Sequence, residues 1–362
     1  MSVYFIMLIF VIIFGCMAEK TSPAIQSTAR EVKLLNNKKR NKTAVWLVFL
    51  CFAFVAAFRY GVGVDFFSYY NNKWALKFQK QQYDDPGFTL LAIISDTLFR
   101  GQKGSLTIVS AIITLALFIF TIAKRGENFC IGCLLFMFVG CFTGMFNGIR
   151  QFLAAAILFA GYPYIVEKKF WKWAAIVALA SSIHFTAILM LFVYFICNLK
   201  CNWRLVGGYF LIAIVLLYLY EPLFNLVGAL KQEDINMNSS YMATRVSRLR
   251  IIVQCTPLLM FLFINKEKVN DDPDCRFLFN ICLLNAAIAV AAMNSAYLSR
   301  FYIYTTSFQI LMYPKLFSKM AKETANQLTI FLIVCYFLYW LYGVYIDSSI
   351  KHFHWIFSHL FR

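Results

Sequence analysis

The chain begins with the apolar run "SVYFIMLIFVIIFGCMA" at residues 2–18, which is long enough for a helix to cross the hydrocarbon of a bilayer. No basic residues precede it, as they would in a cleaved signal peptide. Positive charges follow it closely, at Lys20, Arg30, Lys33, Lys38, Lys39, Arg40 and Lys42. Because basic loops stay in the cytoplasm, this pattern predicts an anchor with its N-terminus outside and a cytoplasmic basic loop at 19–43.

The composition indicates that the rest of the chain is also embedded in a membrane. Of the 362 residues, 61% are hydrophobic and 14% are charged. Apolar runs recur between short polar clusters, and helices satisfy their own backbone groups in lipid. We therefore predict an all-α fold, a polytopic helical bundle forming one integral membrane domain over 1–362. The chain has 34 Lys and Arg but only 17 Asp and Glu. In a membrane protein this excess of basic residues indicates cytoplasmic loops that contact anionic lipid, so no nucleic acid partner is predicted.

Alternating the spans across the bilayer predicts about ten full crossings and two short re-entrant or interfacial elements, with a GT-C-like general organisation. The external segments are then a loop with short helices at 59–104, a loop at 221–250 and a tail at 347–362. The first short element is 88–99, which is too short to span. The full spans are expected near 2–18, 44–58, 105–123, 129–146, 151–166, 205–220, 251–265, 277–296, 301–317 and 327–346.

The second short element, 173–199, has basic residues on both flanks and the polar sequence "SSIHFT" in its middle. A single span would leave one basic flank outside. A helical hairpin with its polar tip toward the outer face keeps both flanks in the cytoplasm.

Six arginines fall at or near the predicted outer boundary, where topology gives no reason for positive charge: Arg59, Arg150, Arg245, Arg248, Arg250 and Arg300. One interpretation is surface salt bridges and lipid headgroup contacts. The other is a polyanion site, because guanidinium groups match phosphate oxygens in a bidentate manner. On the second interpretation a lipid-linked diphosphate is held by Arg59, Arg150, Arg245, Arg248 and Arg300.

Candidates for proton transfer and sugar binding lie beside these arginines. Asp65 follows Gly61 and Gly63, which allow close approach of the backbone to a ligand, and His184 can accept a hydroxyl proton near neutral pH. We predict that the catalytic residues are His184, Asp65 and Arg150. Tyrosines at a membrane interface are commonly packing residues, but a sugar ring can also stack on them. The predicted sugar-binding residues are Tyr69, Tyr297 and Tyr304.

No metal or other cofactor is predicted. Asp272-Pro-Asp274 resembles a metal-binding Asp-x-Asp pair, but it lies in a predicted cytoplasmic loop and is interpreted as a solvated turn. Arginines can stabilise a departing diphosphate electrostatically. The eleven cysteines lie in apolar segments and are interpreted as inert buried thiols.

Three stretches together resemble the EpsG family, whose members function like the Wzy oligosaccharide-unit polymerases. They are "FRYGVGVDFFSYY" followed by "DDPGF", then "FNGIRQFLAAAILFAGYPYI", and then "WAAIVALASSIHFTAILMLF". The resemblance implies functional positions at Arg59, Gly63, Asp65, Asn147, Arg150 and His184. Where the family commonly has Glu-Pro, this chain has Asp85-Pro86-Gly87.

The resemblance implies a multi-pass protein of the bacterial inner membrane that joins undecaprenyl-diphosphate-linked repeat units into exopolysaccharide or capsule at the external face. The partners implied are the polyprenyl-diphosphate-linked oligosaccharide as donor and acceptor, the lipid bilayer, a flippase and a chain-length regulator.

Two other functions stay open at this point. A flippase for the same lipid-linked sugar would need cations distributed along a path through the membrane. A membrane acyltransferase that decorates the polysaccharide would also use a buried histidine.

Overall fold

The computed structural model describes residues 1–19, 40–71, 85–231, 246–294 and 298–360. Within these ranges nearly all of the regular structure is helical, and the one sheet consists of two short strands. The predicted all-α class is therefore confirmed.

The elements of the first half form the first apolar helix, the loop at residues 58–71, which we call the aromatic loop, and the first part of the bundle. They are α1 (Ser2–Glu19), α2 (Lys42–Ala57), β1 (Arg59–Tyr60), α3 (Phe66–Tyr70), α4 (Pro86–Leu98), α5 (Ser105–Arg125), α6 (Phe129–Phe138), α7 (Cys141–Asn147), α8 (Ile149–Gly161), α9 (Pro163–Val166) and α10 (Phe170–Ile183).

The second half is more fragmented and contains three 3₁₀ segments, at Phe185–Leu191, Ala292–Asn294 and Leu298–Arg300. Its other elements are α11 (Val193–Ile196), α12 (Trp203–Lys231), α13 (Arg248–Gln254), α14 (Thr256–Phe263), α15 (Lys266–Asn270), α16 (Pro273–Ala291), α17 (Ile303–Thr306), α18 (Gln309–Phe317), α19 (Lys322–Ile346), α20 (Ser348–Lys351), β2 (His354–Trp355) and α21 (Phe357–Leu360).

Membrane crossing is supported for fewer helices than the ten expected spans. In the described part of the chain, five helical segments are long and apolar enough to cross a bilayer: Ser2–Glu19, Ser105–Arg125, Ile149–Val166, Pro273–Ala291 and Lys322–Ile346. A sixth is added if α6 and α7, which meet at an angle of 42°, form one bent span. The chain is a multi-pass membrane protein, but the ten-span count is not confirmed because other predicted spans form shorter or broken helices.

The bend between α6 and α7 occurs at Gly140, which has a φ of +92°. Residues with a side chain rarely adopt this left-handed conformation. The helix therefore stops at Val139 and restarts in a new direction at Cys141. This break leaves the inner face of α7 along the wall of a cavity.

Contacts between distant segments define two ends of the bundle. At one end, which we call the cavity end, the Met1 amino group donates to the Lys351 carbonyl (3.3 Å) and Asn147 Nδ2 donates to Asp347 Oδ2 (3.2 Å). At the opposite end, Arg40 Nε donates to Glu19 Oε1 (3.3 Å) and Arg40 Nη2 donates to the Gly126 carbonyl (2.6 Å). Which end faces outward stays a prediction from the positive-inside rule.

The 173–199 stretch forms the predicted hairpin. The chain leaves α10 at His184, whose backbone is extended, and returns through the 3₁₀ segment Phe185–Leu191. Trp173 Nε1 donates to the Met190 carbonyl (3.2 Å), so the two arms run side by side. Asn198 Nδ2 donates to the Ile165 carbonyl (3.1 Å), which brings the end of the returning arm beside the segment that enters the hairpin.

The aromatic loop after α2 is held by the C-terminal segment. β1 pairs antiparallel with β2, with Arg59 opposite Trp355, and the Gly63 amide donates to the Ser349 carbonyl (3.0 Å). Gly63 has a φ of +99°, and a Cβ there would collide with the Phe146 carbonyl oxygen. Glycine is therefore required at this position for the loop to lie against α7.

Candidate functional site

The site is an open cavity of about 630 Å³ at the cavity end of the bundle. Its walls come from the broken helix α6–α7, the start of α8, α13, the 298–306 segment and the last turns of α19. Cavities of this volume hold small organic ligands or parts of larger ones. Its polar and charged lining includes Asn147, Gln151, Arg250, Gln254, Arg300, Tyr302, Thr306, Tyr339 and Asp347.

Two of the boundary arginines line this cavity. Arg250 lies in the first turn of α13 and is exposed, with hydrogen bonds to the hydroxyl groups of Tyr302 and Tyr339. Arg300 ends the 3₁₀ turn Leu298–Arg300 and is half-buried. Among the described lining residues, Asp347 is the one carboxylate beside these two guanidinium groups. Two guanidinium groups in the lining of one cavity suit a phosphate-bearing ligand.

Arg150 lies in the first turn of α8, behind the wall to which Asn147 and Gln151 belong. Its Nε donates to the Tyr69 hydroxyl (3.0 Å), and its Nη1 donates to Asp85 Oδ2. Asp85 is 4% exposed, and its other oxygen accepts a hydrogen bond from the Phe185 amide (3.2 Å). Asp85 therefore links Arg150 to the tip of the 173–199 hairpin.

His184 lies at that tip and is close to the side chains of Gln151 and Asp85. Its Nε2 is 3.1 Å from Gln151 Nε2, and its Nδ1 is 3.8 Å from Asp85 Oδ2. The Gln151 amide can donate only if His184 Nε2 carries no proton, which places the proton on Nδ1, facing Asp85. Since Gln151 lines the cavity, His184 reaches the cavity through Gln151.

Asp65 lies just before α3 and is half-buried. Burial raises the pKa of its carboxyl above the ordinary value, while the positive charges of Arg300 and Arg150 oppose that rise. Both arginines are thus close enough to act on the same carboxylate. An aspartate with a raised pKa is a stronger base than a solvated one.

Arg59 occupies a different environment from the other boundary arginines. It is 2% exposed, and its guanidinium donates to the Ala56 carbonyl and, through Nε, to the Val62 carbonyl (3.3 Å). It also lies over the Phe146 ring, 4.5 Å from the centroid. The sequence predicts Arg59 as a diphosphate ligand. In the structure its guanidinium instead binds carbonyls of its own loop and packs on Phe146 of α7, so it holds the aromatic loop against that helix.

The structure buries two of the three predicted sugar-binding tyrosines, Tyr69 and Tyr304. Tyr69 is 5% exposed and its hydroxyl is occupied by Arg150, while Tyr304 is 1% exposed and hydrogen-bonds Thr186 (2.7 Å). A ring that stacks on a sugar must expose one face. Both residues therefore position their neighbours. Tyr297 lies outside the described residues.

The remaining two predicted diphosphate ligands are Arg248 and Arg245. Arg248 is exposed at the start of α13 and does not line the cavity. Arg245 lies outside the described residues. Of the five predicted diphosphate ligands, the structure therefore brings Arg300 to the cavity and Arg150 just behind it.

The sequence analysis missed several residues of the site, namely Asp85, Gln151, Gln254 and Asp347, and left Arg250 out of its ligand set. Gln151 and Gln254 are side-chain amides near apolar runs, where an uncompensated polar group is costly. That cost is the signal that could have identified them. Asp85 stands in the "DDPGF" motif, whose role the resemblance did not define.

Asp272 and Asp274 lie at the opposite end, as expected from their loop. The Asp272 carboxylate caps α16 by accepting from the Asp274 and Cys275 amides (both 3.1 Å) and pairs with Lys319 (2.7 Å). No cluster of three or more metal-ligating side chains occurs within the described ranges.

Comparison with known families matches the chain to one family. The sequence model of the EpsG family matches residues 42–356, which include the aromatic loop, the hairpin and the cavity walls. No curated protein and no solved structure matches the chain.

Proposed function

Because this chain belongs to the EpsG family, we propose that it is a polymerase-type glycosyltransferase. It joins polyprenyl-diphosphate-linked oligosaccharide repeat units into a bacterial exopolysaccharide or capsule. The observation that carries the proposal is the cavity end itself, where Arg250 and Arg300 line one open cavity and Arg150 lies behind its wall. We place the reaction at the external face of the inner membrane, in a membrane domain of GT-C-like general organisation.

The proposed ligand is a diphosphate that joins a sugar to a lipid tail. Arg250 and Arg300 present guanidinium donors to the phosphate oxygens. The tyrosine hydroxyls on Arg250 orient it without cancelling its charge. A ligand with two phosphate groups therefore finds more positive than negative charge along this wall.

The reaction forms one glycosidic bond and breaks one bond to phosphate. An acceptor hydroxyl oxygen attacks the anomeric carbon of the donor sugar, and the bond from that carbon to the diphosphate oxygen breaks. The electron pair leaves with the diphosphate, and the arginines stabilise its developing charge. The hydroxyl proton passes to a base.

We assign Asp65 as this base and His184 as a positioning residue. Asp65 lies within the field of Arg150 and Arg300, and its raised pKa favours proton uptake. His184 Nε2 is occupied by Gln151, so the imidazole fixes that amide at the cavity wall. Asp85 in turn orients the hairpin tip and Arg150 together.

Paired charges at the opposite end disfavour the flippase alternative. There, Lys315 lies within 4 Å of Glu127, Asp272 and Asp274, and Lys319 pairs with Asp272. A flippase needs a polar path through the membrane that can bind its substrate. These described charged groups are instead paired with one another.

The test uses a producing strain in which this gene is replaced by variants. Arg150→Ala and Asp65→Asn are expected to leave the protein in the membrane, abolish long polymer and let lipid-linked single units accumulate. Arg248→Ala is the control, because it removes another boundary arginine, one that is exposed and does not line the cavity. An unchanged chain-length distribution in both site variants would refute the site.

A vesicle assay separates the alternatives. Lipid-linked units are supplied on the outer leaflet of vesicles that contain the protein, so no transbilayer movement is needed. Polymer formed there supports the polymerase. Movement of the lipid without polymer would establish a flippase, and a mass change per repeat without a change in chain length would establish an acyltransferase.

A further inference from the structure

The floor of the cavity carries a polar group that the diphosphate does not use. Gln254, at the end of α13, lines the cavity although it is 2% exposed. Its Oε1 accepts hydrogen bonds from Asn285 Nδ2 (2.7 Å), Gln309 Nε2 (2.8 Å) and Thr306 Oγ1 (3.2 Å). These donors fix which arm of the amide faces the protein.

The other arm of the Gln254 amide has no partner among the described residues. Its Nε2 donates no hydrogen bond to a described residue. This atom is also not among the buried, unpartnered polar atoms that solvent cannot reach. Because Gln254 lines the cavity, this N–H₂ group faces the open space. A buried amide held so firmly with its donors free is suited to bind an acceptor on a ligand.

The network behind Gln254 keeps it in this orientation. Asn285 Oδ1 accepts from Thr305 Oγ1 (2.7 Å), and Gln309 Oε1 accepts from the Tyr336 hydroxyl (2.9 Å). Asn285 and Gln309 are fully buried. A network of this kind limits the freedom of each member, so the donor at its edge is pre-organised.

The position of Gln254 relative to Arg250 suggests what it binds. The two residues are four apart on α13, so they share one face and lie about 6 Å apart along the axis. This is comparable to the separation between a phosphate and the far side of the sugar ring attached to it. The cation and the amide therefore match adjacent parts of one glycosyl diphosphate.

We propose that Gln254 is a specificity residue that donates a hydrogen bond to a hydroxyl or acetamido oxygen of the donor sugar bonded directly to the diphosphate. This inference rests on the proposed function and adds to it the part of the substrate that the arginines do not recognise. Gln254 makes no bond to the reacting atoms and acts on substrate affinity.

The experiment compares Gln254→Glu with Thr305→Val in full-length protein reconstituted in vesicles. The probe is the pool of lipid-linked repeat units extracted from a strain lacking this gene. Gln254→Glu keeps the oxygen that the network needs and replaces the free donor by an oxygen. Thr305→Val removes a hydroxyl from the same network, at a residue that does not line the cavity.

We expect Gln254→Glu to raise the apparent KM about tenfold or more, with kcat changed less than the KM, since a mispaired polar contact of this kind is worth about one factor of ten. Thr305→Val is expected to lower the melting temperature but leave the KM within about twofold of wild type, since a network loss away from the ligand acts on stability.

Three results would overturn the inference. Wild-type protein that forms no polymer from the probe removes the proposed function and this subsite with it. Polymer formation with an unchanged KM in Gln254→Glu removes the subsite alone. An equal rise in KM for Thr305→Val shows that the network has only a structural role.

Discussion

The two ends of this bundle use positive charge in opposite ways. At the opposite end, Lys315 and Lys319 are matched by Glu127, Asp272 and Asp274, and Arg40 by Glu19. At the cavity end, Arg250 is hydrogen-bonded to tyrosine hydroxyls, and it shares the lining with Arg300 and one described carboxylate, Asp347. The paired charges of the first cluster, which we call the balanced end, hold helices together. The cavity lining, which we call the unbalanced end, presents two guanidinium groups to an open space.

The largest expected effect breaks the balanced end. Lys315→Met leaves three carboxylates facing one another, with Lys319 and Arg125 as described cations that still act on them, so we expect the free energy of unfolding to fall by about 3 kcal/mol. Thermal unfolding in detergent measures this. Activity per folded molecule should stay unchanged, because the cluster is remote from the cavity.

Lys319→Met is the control for this change, since Lys319 contacts Asp272 and is more exposed. It should cost clearly less. If Lys315→Met proves as stable as wild type, the charge cluster does not stabilise the fold, and the contrast between the two ends disappears.

The second prediction concerns the unbalanced end. Arg300→Gln removes a guanidinium from the cavity wall, and we expect the rate of polymer formation to fall on the order of 100-fold because a donor to the leaving group is lost. Arg300→Lys should lose less, since it keeps the charge but not the bidentate geometry. The rate is measured with lipid-linked repeat units in vesicles.

Arg248→Gln serves as the matched control and should stay within about twofold of wild type, as expected for an exposed surface charge. Equal losses in the Arg248 and Arg300 variants would mean that general surface charge, and not the cavity, sets the rate.

A third comparison tests the loop that carries Asp65. Gly63→Ala must place a Cβ against the Phe146 carbonyl at a positive φ, so we expect a loss of about 2 kcal/mol in stability together with reduced activity. Gly101 also has a positive φ but has no atom near the site of a Cβ. Gly101→Ala should therefore cost about 1 kcal/mol and leave activity unchanged. Thermal unfolding measures the loss of stability, and polymer yield measures activity. If Gly101→Ala reduced activity as much as Gly63→Ala, the prediction would be wrong.

The smallest expected effect is a shift in pH dependence. A base must be deprotonated to act, so activity falls as the pH drops through the pKa of Asp65. Arg300 lowers that pKa, so Arg300→Gln should raise it and move the acid limb of kcat to higher pH. Arg300→Lys keeps the charge and should leave the limb in place. A limb that stays fixed in both variants would show that another group is the base.

Much of the fold followed from local patterns. The basic residues on both flanks of 173–199 predicted the hairpin, since one rule governs each flank independently of the rest of the chain. The number of spans did not follow as well. Breaks such as those at Gly140 and Cys255 depend on how neighbouring helices pack, which hydropathy does not record.

Residues at the cavity end were predictable where they broke a simple rule. Arg150 and Arg300 were identified because topology gave no reason for their charge, and the structure places Arg300 in the cavity lining and Arg150 just behind it. Arg59 satisfied the same criterion yet lies buried, because its own loop supplies carbonyls to its guanidinium. The partners of Arg150 and Gln254 are distant in sequence, so no local pattern could have predicted them.

The pairing of β1 with β2 has a consequence for biosynthesis. Arg59 and Trp355 are separated by almost the whole chain, as are Met1 and Lys351. The loop bearing Gly63 and Asp65 gains these supports only after the last long helix has left the ribosome and entered the membrane. An incomplete nascent chain in the bilayer therefore lacks the contacts that assemble the cavity end.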